Sequence, residues 1–346
     1  MRHRVLTACA VSFASAAAIL ACVGSDPTVT ATDDRGDASP ANPDPVTQTP
    51  NPATTSDAAP NDGAAVDSGA SCDPAKPFNA ASTVNLTGLN VVTEDIPMQD
   101  QFSPRLSADE LTIYYGQYPG STGTDVAPAA DVFSATRSSV ADPFPPGSAL
   151  SDISTSHLEE DFSVSSNGLT AFYTTNRLNT SSCASATGIC IAKVSRPTVT
   201  AGFSGAALFI NNPGEQRYPY AVGTKPNVYY AARSSTTQSW DITSDNPGAT
   251  FNGVNGPGVD TSPVITPDEL VLYFASDRDS DGGTNLDIYV AKRAKNTDPF
   301  GTPTRVAGLS TDADELPGYV SADGCRLYLT RDDGSSGGLN LYSASK

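Results

Sequence analysis

The sequence predicts an all-β domain: a ring of five four-stranded blades, a β-propeller, closed by an N-terminal strand and preceded by a disordered tether. Three observations carry that reading. A strand–turn–strand phrase ending in aromatic residues occurs five times. The 346 residues include 28 glycines and 27 prolines, which favours turns over long helices. A fourth-strand phrase is left over at the front of the domain, while the last unit stops one strand short.

Residues 1–22 read as an export signal. Arg2 and Arg4 precede an apolar stretch from Val5 to Leu20, and small residues follow. Ile19-Leu20-Ala21-Cys22 resembles a bacterial lipobox, which implies lipidation at Cys22; the alternative is a plain secretory signal. With Val23 rather than Asp after that cysteine, the expected address is the outer membrane, the domain lying in the periplasm or at the cell surface. Residues 23–75 hold nine aspartates, one basic residue (Arg35) and no aromatic residue. Such a stretch cannot bury enough apolar surface to offset its chain entropy, and its prolines and like charges keep it extended.

Residues 76–346 form the propeller domain. The five phrases are Ser103–Tyr115, Phe162–Tyr173, Tyr218–Tyr230, Ser262–Phe274 and Pro317–Leu329. Asp109, Asn167, Asp268 and Asp323 mark the turns between strands one and two, and the third phrase is the most degenerate. Third strands follow at Asp131, Cys190, Trp240, Asp287 and Asn340, then aromatic-led segments at Phe144, Phe203, Phe251 and Phe300. The turns recur every 44 to 58 residues, the interval of a propeller blade. Six blades is the alternative, if a degenerate unit hides between Asp131 and Glu160. The unpaired phrase at Pro77-Phe78 and Ser82–Gly88 is expected to complete the last blade and remove its open edge.

The run Ser262-Pro-Val-Ile-Thr-Pro-Asp-Glu, then Leu-Tyr-Phe-Ala-Ser-Asp-Arg278, then Asp287-Ile-Tyr-Val resembles the WD40-like repeat of TolB-type propellers. The fifth unit matches nearly as well, the first two in part. The resemblance spans residues 77–346 and implies the fold, export, and protein or envelope binding more than any one reaction.

Export allows disulfides. Cys9 leaves with the signal. Cys183 and Cys190 flank a short loop and form one expected bridge; Cys72 and Cys325 form another, stapling the ring where its ends meet.

A chain with 20 basic and 38 acidic side chains and a net charge of −18 lacks the basic face that nucleic acid requires. With two histidines, one at position 3, histidine-based catalysis is disfavoured. Gly334-Ser335-Ser336-Gly337-Gly338 fits Gly-x-Ser-x-Gly but lacks the helix and histidine partner of a nucleophile elbow. Asp277, Asp279 and Asp281 with Gly282 look like the start of a calcium loop, yet Ile288 stands where a bidentate glutamate belongs. Calcium is therefore a weak expectation and a polar turn the plainer one; no other cofactor is expected.

Aligning the units on Ser107, Ser165, Gly223, Thr266 and Ser321 puts Gln101, Glu159, Arg217, Asp260 and Glu315 in register at one mouth of the channel. Asp100, Glu160, Glu215 and Asp314 flank them. The expected function is an envelope-tethered monomer that captures a protein or other envelope ligand at this mouth and reaches the membrane through its lipid. The alternative is a glycan-binding or glycosidase-like propeller, with two of these carboxylates about 5 Å or 6.5–9.5 Å apart as its acid and base. The plainest alternative is a set of solvated carboxylates.

Overall fold

The computed structural model describes residues 72–90, 100–118, 129–178, 188–210, 212–279, 285–332 and 338–346. After a short 3-10 turn (Ala80–Ser82), β1 (Thr83–Asn85) opens the domain. Blade one is β2 (Gln101–Leu106), β3 (Thr112–Gln117), β4 (Asp131–Thr136) and β5 (Ser148–Ala149). Blade two is β6 (Glu159–Val164), β7 (Thr170–Thr175), β8 (Cys190–Ser195) and β9 (Ser204–Leu208). Blade three is β10 (Glu215–Val222), β11 (Asn227–Arg233) and β12 (Asp241–Ser244). Blade four is β13 (Asp260–Ile265), β14 (Val271–Ser276), β15 (Asp287–Lys292) and β16 (Thr304–Arg305). Blade five is β17 (Glu315–Val320), β18 (Arg326–Asp332) and β19 (Leu339–Ser345), with β1 as its outermost strand.

The five first strands β2, β6, β10, β13 and β17 touch in sequence and close on themselves. This is a five-bladed propeller. The stretch between Asp131 and Glu160 holds only β4 and β5, so it hides no sixth blade.

Each first strand carries a register shift near its start. In blades one to four a non-glycine residue sits there in the left-handed region: Ser103, Asp161, Tyr218 and Ser262, with φ between 49° and 59°. Such a bulge bends the strand and re-aims the side chains beside it. In blade five the shift spans Gly318, where a Cβ would lie 2.3 Å from the Pro104 carbonyl oxygen. Only glycine allows that approach between blades.

The turn residues work as their chemistry requires. Asp109, Asn167, Asp268 and Asp323 each accept the amide two residues on, at 3.0–3.1 Å. The core is built from the aromatic ends of the second strands: Tyr115, Tyr173, Tyr229 and Phe274 are all buried.

Closure follows the leftover phrase. Thr83, Val84 and Asn85 pair with Ala344, Ser343 and Tyr342. Cys72 is bonded to Cys325, their Cα atoms 6.2 Å apart. Cys190 is disulfide-bonded and buried; its expected partner Cys183 lies outside the described residues, as do Cys22 and Asp281.

Blade three departs from the four-strand expectation. In blades one, two and four the fourth strand follows the aromatic, but only residues 252–259 separate Phe251 from β13, and none of them forms a strand. The Asn255 side chain accepts from the Ile242 amide (2.8 Å) and donates to the Ile242 carbonyl (3.0 Å). Two side-chain bonds thus satisfy the Ile242 backbone, and Asn90 makes the same pair to Leu341 in blade five.

Candidate functional site

Four of the five predicted mouth residues are buried, Glu159, Asp260 and Glu315 completely. Each carboxylate reaches back four residues to the loop that leads into its own blade. Glu159 accepts the Thr155 amide (2.9 Å) and hydroxyl (2.8 Å). Asp260 accepts the Gly256 amide and Arg278, both at 2.5 Å. Glu315 accepts the Thr311 amide (3.1 Å) and Arg331 (2.9 Å). Burial pushes the Glu159 and Glu315 carboxyls above their ordinary value, against the pull of those donors. The bonds are local latches, one per blade, and they do not gather the carboxylates into one cluster.

The blade-three register is corrected by one residue. Matching the left-handed residues Asp161 and Tyr218 aligns Glu159 with Gln216, whose amide donates to the Asn212 carbonyl at 3.1 Å. That is the same four-residue latch. Arg217 aligns with Glu160, one position further along. The error came from Gly223: the blade-three hairpin pairs Val222 with Asn227, so Val222 stands where Ser165 stands in blade two. Gln101 is buried at the equivalent point of blade one.

The neighbours set aside as flanking acids divide in the same way. Asp100 accepts the Leu339 amide (2.9 Å) and Asp314 the Leu286 amide (2.7 Å), so both tie loops between strands. Glu215 pairs with Arg233. Glu160 pairs with Arg217 across the blade two–blade three boundary, and a polar cluster collects around that pair.

In this cluster Asp161 accepts from the Ser103 hydroxyl of blade one, the Thr174 hydroxyl of its own blade (2.9 Å) and the Tyr218 amide of blade three (3.3 Å). One carboxylate thereby joins three blades. Half-buried Tyr118 feels the charges of Glu160, Arg217 and Asp161, and burial pushes its phenol up. Its ring lies 5.2 Å from that of Phe102. Tyr218 meets Trp240 edge to face at 6.3 Å, and Arg233 lies 4.6 Å over the indole. Trp240 therefore belongs to the mouth, although its place at the start of a third strand reads as remote. No local signal in the sequence marks it, because it depends on the first-strand bulge at Tyr218.

Burial raises the Glu160 carboxyl to about 7, despite the opposing pull of Arg217. For Arg217 burial works downward, and the charges of Glu160, Tyr218, Asp161 and Glu215 together more than reverse it. Deeper in the channel Arg105 is fully buried, donates to the Gly318 carbonyl of blade five and lies 5.3 Å from the Tyr220 ring. Around it the channel narrows to a cavity of about 50 Å³ lined by residues including Arg105, Tyr220 and Tyr319. A cavity of that size holds a water or two, so a larger ligand meets the mouth rather than the bore.

The calcium-like run is not assembled as a cluster by its described members. Asp277 accepts the Val259 amide (2.7 Å) and Asp279 the Tyr289 hydroxyl (2.7 Å). Among the described residues no group of three acidic, histidine or cysteine side chains is placed to hold a metal. His157 is exposed beside Thr155, and Ser335 and Ser336 lie outside the described residues.

No protein-family model matches the sequence, and no curated protein matches it. Among solved structures the chain is similar to TolB from Acinetobacter baumannii, at 13% identity over 72% of this chain with a TM-score of 0.38. It covers 55% of that chain. It is similar to a putative glycoside hydrolase from Parabacteroides distasonis at 10% identity, covering 77% of this chain and 97% of that one, TM-score 0.44. The arabinanase of Bacillus subtilis gives 14% identity, 75% and 96% coverage and a TM-score of 0.41. These likenesses concern the propeller architecture and leave the chemistry to the residues described above.

Proposed function

We propose that the chain is a binding module of the cell envelope, capturing a protein or glycan ligand at the channel mouth between blades one, two and three. The observation that carries this is the grouping of half-buried Tyr118, Tyr218, Trp240 and Arg217 over the Glu160 carboxyl. Aromatic faces and a guanidinium supply large contact area at low conformational cost, the composition that dominates binding energy at interfaces. The latched carboxylates of Glu159, Asp260 and Glu315 hold the loops that frame this surface. The signal-like residues 1–22 and the Pro/Asp-rich residues 23–75 support export and tethering.

A glycosidase-like reading keeps one observation in its favour: Glu160, raised to about 7, has the proton affinity that a general acid needs. Asp161 beside it is committed to three donors, which argues against its serving as a nucleophile or base. Two measurements separate the readings. Capture of an envelope component should be lost by Tyr218→Ala with Trp240→Ala, while reducing-sugar release from polysaccharides stays at background. Sugar release that disappears in Glu160→Gln would establish the second reading instead.

A further inference from the structure

Two blade interfaces share a polar device on the side of the ring opposite the mouth. Between blades five and one, the Tyr328 hydroxyl donates to Glu110 (3.4 Å) and receives from Arg137 (2.9 Å). Arg137 lies 4.2 Å over Phe144, and its Nε donates to the Glu110 carbonyl at 3.0 Å. Between blades three and four the parts recur. Tyr229 donates to Glu269 (2.7 Å) and receives from Arg293 (3.3 Å), which lies 4.3 Å over Phe300 and donates to the Glu269 carbonyl at 2.7 Å. Glu110 and Glu269 hold the same left-handed hairpin position, φ 58° and 60°.

Between blades one and two the acid is absent, and Thr112 stands where Arg326 and Asn227 donate to Glu110 and Glu269. Arg196 lies 4.3 Å over Phe203, donates to the Gly168 carbonyl (2.6 Å) and bonds the Tyr114 hydroxyl. Gly168, φ 70°, stands where the glutamates stand. A cavity of about 560 Å³ opens there, lined by Arg196, Tyr114 and the hydroxyls of Ser107, Thr112 and Ser134.

The remaining interfaces show that cation and acceptor go together. Between blades two and three, Phe172 takes the tyrosine's place and Pro247 the arginine's. Between blades four and five, Lys346 takes the arginine's place and donates to the Pro74 carbonyl at 2.8 Å. Among the described residues, only the blade one–blade two interface joins an arginine to a tyrosine hydroxyl without a glutamate at the left-handed hairpin position.

We propose that this interface binds a carboxylate ligand, whose acid group takes the place that Glu110 and Glu269 fill elsewhere. The guanidinium and phenol present donors suited to two carboxylate oxygens. Walls that mix serine and threonine with Leu150, Val164 and Phe203, and a volume well above that of a carboxyl group, fit a hydroxylated acid with an apolar ring face, such as a sugar acid. Asp109 also lines the cavity; its carboxylate accepts the Ser107 hydroxyl (2.5 Å) and the Leu111 amide (3.0 Å). Its charge acts against an incoming carboxylate while that of Arg196 attracts it.

Calorimetric titration of the whole protein with D-glucuronate, acetate and glucose tests this. One glucuronate per chain is expected, with acetate weaker and glucose not binding; glucose binding as well as glucuronate overturns the proposal. A trisaccharide ending in glucuronate separates sources: tighter binding than the free acid assigns a glycan, equal binding a free acid. Gly168→Glu should fill the site from within, raising the melting temperature and weakening glucuronate at least tenfold. Arg196→Gln should weaken it equally with the fold intact. Undiminished binding in either variant overturns the site. Should Gly168→Glu not fold, Glu269→Gly provides the reciprocal test: it should create a second glucuronate site, and a stoichiometry that stays at one overturns the proposal.

Discussion

Asp260 and Glu315 illustrate how a carboxylate at a channel entrance can be structural rather than receptive. Each is fully buried, holds an arginine and fixes a loop amide. Loss of either acid leaves a guanidinium desolvated and a backbone donor without its acceptor. The Glu315→Ala variant is therefore expected to lose about 3 kcal/mol in urea denaturation, the lower end for breaking a buried pair, because Arg331 keeps some solvent. Solvated carboxylates repelling one another predict a gain for Asp260→Asn with Glu315→Gln; the latches reverse that sign, and the double variant should melt earlier. Glu160 behaves differently. Its folded value of about 7 exceeds the ordinary 4.5, so the folded state holds its proton more tightly. Stability from this group is complete below pH 4.5 and lost as pH rises through 7. Chemical denaturation from pH 4.5 to 7 should show that decline in the wild type and a flatter profile in Glu160→Gln.

At the scale of strands, the repeat was legible because each blade repeats local instructions: an Asx turn, an alternating second strand and an aromatic in the fourth-strand segment. Those signals are short-range, so they survive in a single sequence. What was not legible is the bulge in each first strand. It arises where neighbouring blades approach, and it shifts side chains by one position without a marker such as Asn-Gly. Blade three shows the consequence: Gly223 looked like the register mark, and Arg217 was matched one residue out of place. The absent fourth strand of that blade escaped because Phe251 repeats the aromatic that precedes a fourth strand in blades one, two and four, yet only residues 252–259 follow before β13. Closure, by contrast, could be read from an inventory of strands. The Cys72–Cys325 link spans 253 residues of sequence, and chain entropy assigns such a loop about 5 kcal/mol. The Cys72→Ser variant should unfold at lower denaturant by that order under oxidising conditions. Equal midpoints for the variant and the oxidised wild type would show that β1 alone closes the ring. Removal of residues 72–90 should go further and cause aggregation, because β19 then presents a bare edge.

The whole molecule separates what sequence order can reveal from what only the ring assembles. The mouth combines Tyr118 from blade one, Glu160 from blade two, and Arg217, Tyr218 and Trp240 from blade three, positions more than a hundred residues apart. No spacing motif links them, so the fold was readable and the mouth was not. The acidic surface has a reading at this scale as well. A net charge of −18 disfavours close approach to an anionic membrane surface, so the proposed attachment would rest on acyl chains rather than on basic patches. One chain alone anchors weakly and two or more hold, which is what lipidation at Cys22 would provide. The Cys22→Ser variant is expected to leave the membrane fraction for the soluble one, with the propeller's melting temperature unchanged because every described strand begins beyond residue 82. Mass spectrometry of the wild-type N-terminal peptide should find acylated Cys22. Membrane retention equal to that of the wild type in the serine variant would remove the anchor from this account and leave the propeller as a freely exported binding module.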